Sequence, residues 1–255
     1  MSAAEARPGE VTFYVVRHGQ TLFNVMNKVQ GWCDTPLTAE GVAGAEALGR
    51  GLADVEFAAA FSSDSGRAVQ TMNALLEARA LARGELSDDL ARFASLHDGG
   101  ARPEAFDTLP FVTVFDPRLR EWCYGDFEGE SGALLHAVLD SGFGAPLSFE
   151  EHNRRLPEVA DVIADADTSG RAERFDAIEA RLRSFLGGVG RDLRAEGGGN
   201  VLVVTHSFVV RTLVYLLEPD RVNDPVKIPN VSVTRIGFDG EDFMLHEIGS
   251  TAWRS

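Results

Sequence analysis

Two stretches of the chain, VTFYVV (11–16) and NVLVVTH (200–206), are apolar and β-branched with no alternation of polar positions. A strand with one wet face alternates, whereas a strand that does not is covered on both faces. Such strands belong to parallel sheets, whose crossover connections lay helices on each side. The intervening sequence supplies those helices. PLTAEGVAGAEALGRGLAD (36–54) predicts a helix capped by Thr38. GRAVQTMNALLEARALA (66–82) predicts another, with Val69, Met72 and Leu76 on one stripe, and FAAAFSS (57–63) before it reads as a strand. Across 172–195, Phe175, Ile178, Leu182, Phe185, Val189 and Leu193 recur at steps of three and four. SFVVRTLVYLL (207–217) follows NVLVVTH directly as an apolar helix. Near the end, VSVTRIGF and FMLHEI flank Asp239-Gly240, the signal of an antiparallel hairpin. The pattern predicts an α/β fold, a three-layer α/β/α sandwich with a mostly parallel sheet and an antiparallel edge.

Residues 84–117 and 129–171 fit this alternation poorly. They are expected to be cap insertions over the C-terminal edge of the sheet, within a single domain spanning 1–255, where they would shape a substrate pocket. No apolar run approaches the roughly 18 residues of a membrane span, and MSAAEARPGE lacks the apolar segment of a signal peptide. Cys33 and Cys123 show no paired spacing, which fits a reducing, cytoplasmic location. With 39 acidic and 24 basic residues the net charge is −15, which argues against nucleic acid and membrane partners. An anionic substrate would need positive charge concentrated locally. A monomer or a homodimer is expected.

That concentration lies at the strand ends. Arg17, His18 and Gly19 follow the first strand, Arg67 follows FAAAFSS, and His206 follows VLVVT immediately before a helix. In parallel strands these positions share the C-terminal edge, where such folds bind ligands. Guanidinium forks match phosphate oxygens, and helix N-termini offer unpaired N–H groups, so an anion site is expected there. RLREWCYGDFEG (118–129) adds Glu121, a carboxyl among aromatic neighbours that suits a proton donor. The competing readings are that Glu121 pairs with Arg118 or Arg120 on the surface, and that His206 is a hydrogen-bonded core residue. Ser62 and Ser63 read as turn or capping residues.

Five motifs stand in order: RHGQT (17–21) with Asn24, QGWCDTPLTAEG (30–41), SSDSGRAVQT (62–71), LREWCYGDFEG (119–129) and VLVVTHSFVVR (201–211). Together they resemble the histidine phosphatase superfamily, the phosphoglycerate-mutase-like fold. The resemblance implies that His18 is the nucleophile and carries a phosphohistidine, its other ring nitrogen held by a backbone carbonyl such as that of Gly19. It implies that Arg17, Arg67 and His206 bind the equatorial oxygens and that Asn24 adds a neutral donor. Glu121 would protonate the leaving alkoxide and then deprotonate water. It implies no metal and no cofactor, and a small phosphorylated metabolite as substrate.

Rival chemistries leave other marks. A cysteine phosphatase needs an arginine six positions after its nucleophile, where Ala39 and Gly129 stand. A haloacid-dehalogenase-type site would start from the Asp-x-Asp of VIADADTS (162–169), but Ser169 stands where that family has threonine or valine, and the only lysines are Lys28 and Lys227. His97, His136, His152 and His246 show no metal-ligand spacing, and the glycine run 197–199 lacks the Lys-Ser/Thr of a nucleotide cradle. A non-catalytic phosphate-binding module would have lost a nucleophile or an acid. Within the family, YGDFEGES after the acid looks like the phosphatase branch. The alternative is mutase-type transfer, with Arg154-Arg155 as a candidate grip on a substrate carboxylate.

Overall fold

The computed structural model describes residues 9–85 and 113–254. A six-stranded sheet is built from β1 (Val11–Arg17), β2 (Phe57–Ser62), β3 (Thr113–Phe115), β4 (Gly199–Thr205), β5 (Val233–Phe238) and β6 (Phe243–Ser250), in the order β3-β2-β4-β1-β5-β6. β3, β2, β4 and β1 run parallel, and β5 and β6 complete the sheet as an antiparallel edge. The helices are α1 (Leu22–Val25), α2 (Ala39–Gly51), α3 (Gly66–Ala82), α4 (Gly132–Phe143), α5 (Phe149–Arg154), α6 (Leu156–Ala166), α7 (Phe175–Ala195) and α8 (Ser207–Leu217).

The lack of alternation in the central strands has the expected cause. Phe13, Val15, Val201 and Val203 enter one core cluster with Ile178, Leu182 and Phe185 of α7 and Val209, Val210 and Leu213 of α8. Their neighbours Tyr14, Val16, Leu202 and Val204 enter a second cluster with Leu48 and Leu52, beside α3 side chains Met72, Leu75 and Leu76. Both faces of β1 and β4 are therefore dry, and each buried side chain of this size contributes about 1.5–3 kcal/mol. Thr38 caps α2 as its position predicts, accepting the Gly41 amide at 3.1 Å.

The insertion boundaries shift. Thr113–Phe115, expected within the first insertion, pair with Ala60–Ser62 as an edge strand too short to carry a pattern of its own. The rest of that insertion, residues 86–112 with His97, lies outside the described residues. The second insertion holds α4, α5 and α6, whose Leu139, Leu156, Val159 and Ile163 join the α7 side of the core. Among the described residues no helix is long and apolar enough to cross a membrane.

Candidate active site

Strand register brings the strand-end residues together. Arg17 pairs with Thr205 and Ser62 with Val204, so His18, Ser63 and His206 follow in one row at the sheet edge. The backbone continues the ladder, with the His18 amide on the Thr205 carbonyl at 2.8 Å and the Ser63 amide on the Val204 carbonyl at 2.9 Å. A cavity of about 150 Å³ opens there, with Arg17, His18, Asn24, Lys28, Glu121, Tyr124 and Ser207 in its wall. Gly132 and Leu135 of the second insertion also line it.

His18 is buried, and its Nδ1 lies 2.7 Å from the Gly19 carbonyl. A carbonyl only accepts, so Nδ1 carries the proton and Nε2 is left with its lone pair. Burial, followed by the charges of Arg67 and Arg17, holds the ring well below the usual histidine range, so it is neutral at physiological pH. Gly19 must be glycine: a Cβ there would sit 2.7 Å from the Gly41 carbonyl oxygen. The His206 ring stands edge-on to that of His18, centroids 5.2 Å apart, and its Nε2 meets Ser63 Oγ at 2.8 Å. Burial lowers its proton affinity too, with Arg67 adding to the effect.

The two arginines are held differently. Arg17 donates Nη1 to the Ile228 carbonyl at 2.5 Å, and its Nε is buried without a partner. Nη2 likewise makes no hydrogen bond among the described residues, so one edge of the fork is open to a ligand. Burial lowers this guanidinium to about 10, against the favourable charge of Glu121, and it stays protonated at neutral pH. Arg67 is fully buried with both terminal nitrogens spent: Nη1 on the Cys33 carbonyl and Asp34, Nη2 on the Gly31 carbonyl. Only its Nε lacks a partner. Arg17 Nε, Arg67 Nε and His206 Nδ1 are each buried without a partner, but of the three residues only Arg17 is in the cavity wall.

The helix N-termini, expected to bind the anion, are partly taken by carboxylates. At α3 the Arg67 amide is taken by Asp34, at 3.1 Å. At α8 the cap residue His206 supplies no side-chain bond, and Glu121 does so instead. Its Oε2 accepts the Phe208 amide at 3.0 Å, and its Oε1 accepts Val209 at 3.2 Å and Trp122 at 3.1 Å. Burial raises the Glu121 carboxyl despite these amides and the nearby Arg67. Neither surface pairing exists: Arg118 binds Asp116 and Arg120 binds Asp64.

Thr21 caps α1 in a reciprocal bond with Asn24, whose Oδ1 accepts the Thr21 amide at 3.1 Å and also accepts from Asn230 at 3.2 Å. Asn24 Nδ2 makes no hydrogen bond among the described residues. The Asp-x-Asp motif is structural. Asp165 pairs with Arg174, and Asp167 accepts amides of Asp126, Ser169, Arg171 and Ala172. Arg154 and Arg155 are not in the cavity wall, and Arg155 pairs with Glu158.

Sequence reasoning missed three supports. Glu128 accepts the amides of Gly31, Trp32, Cys33 and Tyr124, each at 2.8–3.0 Å, which fixes the loop that grips Arg67. Asn230 donates to the His18 carbonyl at 3.0 Å. Lys28 stands in the cavity wall. A glutamate in a Gly-rich turn carries no local mark of such a role, since three of these four partners lie 95–97 residues away along the chain.

A family profile described as histidine phosphatase superfamily (branch 1) matches residues 13–91 and 104–251. The chain belongs to the histidine phosphatase superfamily. It is 47% identical over 219 residues to 2,3-bisphosphoglycerate-dependent phosphoglycerate mutase 2 of Gloeobacter violaceus, covering 86% of this chain and 80% of that protein. To fructose-2,6-bisphosphatase TIGAR of Xenopus laevis it is 36% identical over 131 residues, 51% of this chain and 38% of that protein. The fold matches the crystal structure of phosphoglycerate mutase from Bacillus anthracis with a TM-score of 0.79 at 29% identity, covering 96% and 95% of the two chains. This histidine phosphatase superfamily member is an enzyme on a phosphoglycerate-mutase-like fold.

Proposed function

We propose that this enzyme hydrolyses a small phosphomonoester without a metal, through a phosphohistidine on His18. The observation that carries this is the buried, neutral imidazole whose Nδ1 is held by the Gly19 carbonyl, with the unpartnered Arg17 Nε–Nη2 edge in the same cavity wall. His18 Nε2 forms a bond to phosphorus as the ester oxygen departs, and Glu121 gives that oxygen its proton. The ring, now carrying the phosphoryl group, stays hydrogen-bonded to Gly19. Water then attacks phosphorus, loses a proton to Glu121, and the N–P bond breaks to return neutral His18. Arg17, Arg67 and His206 hold the transferring oxygens, whose charge persists through both transition states.

Hydrolysis is favoured over mutase transfer by how the segment after the acid is used. Glu128 is spent on the backbone of residues 31–33, and the segment that follows the acid carries no lysine with which to grip a carboxylated substrate. Among the described residues, Lys28 is the one cation of the cavity wall besides Arg17. The second reading, mutase transfer, is favoured by the Gloeobacter relative's name. Incubating the enzyme with 3-phosphoglycerate and with glycerol 3-phosphate separates them. Stoichiometric inorganic phosphate supports the phosphatase. Isomerised phosphoglycerate without phosphate release would replace it by the mutase.

A further inference from the structure

The segment carrying Glu121 is clamped from outside the cavity by one ion pair. Arg181 projects from α7, between Ile178 and Leu182 of the buried stripe. Its Nη1 donates to the carbonyls of Arg118 at 2.8 Å and Arg120 at 2.7 Å, and its Nη2 to the carbonyl of Glu121 at 3.2 Å. The same guanidinium meets Glu173 through Nε at 2.9 Å and Nη2 at 3.0 Å. Glu173 in turn accepts the Cys123 amide at 3.0 Å and donates its own amide to the Cys123 carbonyl at 3.1 Å. Both side chains are only 14% and 15% exposed, and neither is in the cavity wall.

Three carbonyls turned to one guanidinium fix the peptide planes on both sides of Glu121. The Glu121 carbonyl accepts from Arg181 of α7 and from Trp32 Nε1 at 3.1 Å, and its side chain is left to face the start of α8 and the cavity. A proton donor works only if its oxygen is placed to within a fraction of an ångström of the leaving group. The pair also sets the local field. Arg181 favours the Glu121 carboxylate, and Glu173 is the counter-charge paired with Arg181. Among the described residues, the other charged or titratable groups beside Glu121 are Arg17, Arg67 and Tyr124, with His18 and Lys28 in the same cavity wall.

We infer that Arg181, balanced by Glu173, is the positioning residue for the proton donor of this reaction, acting through the backbone of residues 118–123. The inference rests on Glu121 being that donor. It differs from a purely structural role in requiring that loss of either member shift the donor, the two losses in opposite directions.

The test measures kcat/KM against pH for glycerol 3-phosphate, a poor leaving group, and p-nitrophenyl phosphate, a good one. Arg181→Met removes a positive charge, so the alkaline limb for glycerol 3-phosphate should move to higher pH. Glu173→Gln leaves Arg181 unbalanced, so the limb should move to lower pH. Both should lose at least about tenfold more on glycerol 3-phosphate than on p-nitrophenyl phosphate. Arg181→Lys keeps the charge without the fork, so its limb should stay in place while its rate falls. Equal losses on the two substrates with an unmoved limb in Glu173→Gln would overturn the inference, even if Arg181→Met fails to fold. Glu121→Gln is the control. If it shows no leaving-group dependence, the donor assignment fails; if it does and the pair variants do not, only the inference about Arg181 fails.

Discussion

Ser63 Oγ lies 2.8 Å from His206 Nε2, on the far side of the ring from the unpartnered Nδ1. For a neutral His206 to donate Nδ1–H to a phosphate oxygen, the serine hydroxyl must donate to Nε2. Ser63 is thus more than the turn residue its place after β2 suggests. Ser63→Ala should weaken vanadate binding and lower kcat/KM by roughly two- to tenfold, the worth of one neutral hydrogen bond. Unchanged vanadate affinity would show that the tautomer is set by the ligand alone.

His18→Ala should abolish turnover by on the order of 10⁴-fold or more while leaving the fold intact. Its backbone amide keeps the bond to Thr205 that continues the sheet. Acid quench of the wild type with labelled substrate should trap an acid-labile phosphoenzyme that the variant lacks. Label retained on His18→Ala would move the nucleophile elsewhere.

The pH dependence follows from two opposite shifts. Attack requires neutral His18, whose lowered proton affinity keeps it competent into the acid range. Protonation of the leaving group requires protonated Glu121, whose raised carboxyl supplies that form until the pH climbs through its value. The rate on an alkyl phosphate should therefore fall as pH rises past Glu121, and p-nitrophenyl phosphate should lack that limb. The same sign holds for stability: a raised carboxyl stabilises the fold at low pH and loses that contribution as pH rises.

Glu128→Ala should cost about 2–4 kcal/mol of unfolding free energy, because charge-assisted bonds to amides contribute about 1.5–3 kcal/mol each and a partly exposed loop regains water. Denaturant titration measures it. Vanadate affinity should drop as well, because the carbonyls of Gly31 and Cys33 that grip Arg67 belong to the freed loop.

Lys28, in the cavity wall, donates Nζ to the Gly129 carbonyl at 2.8 Å, and the same ammonium lies 5.4 Å from the centre of the Phe23 ring. An ester with a second anionic group near phosphorus should be preferred, and Lys28→Met should raise KM for 3-phosphoglycerate by roughly tenfold more than for glycerol 3-phosphate, given about 1.5–3 kcal/mol for a charged hydrogen bond. A parallel change in both KM values would exclude contact with that group.

The helices and long strands were legible because their determinants are local. Periodicity marked α7, Thr38 marked the start of α2, and Asp239-Gly240 marked the hairpin between β5 and β6. β3 was not legible, since three residues cannot display a period and this strand is defined by its partner. The carboxylate partners of the helix N-termini were not legible for a related reason. Sequence shows that a helix begins after His206, but not that a carboxylate 87 residues away reaches the Phe208 amide.

What the sequence determined by itself is the set of elements and the polar residues at their ends, because chain connectivity fixes which residue follows a strand. Tertiary structure decided what each of those residues is bonded to. It spent the fork of Arg67 on a loop, left the Nε–Nη2 edge of Arg17 open, turned Glu121 onto α8 and bound its backbone to α7. The physical reason is burial: every polar group removed from water must find a partner, and those partners lie far away along the chain.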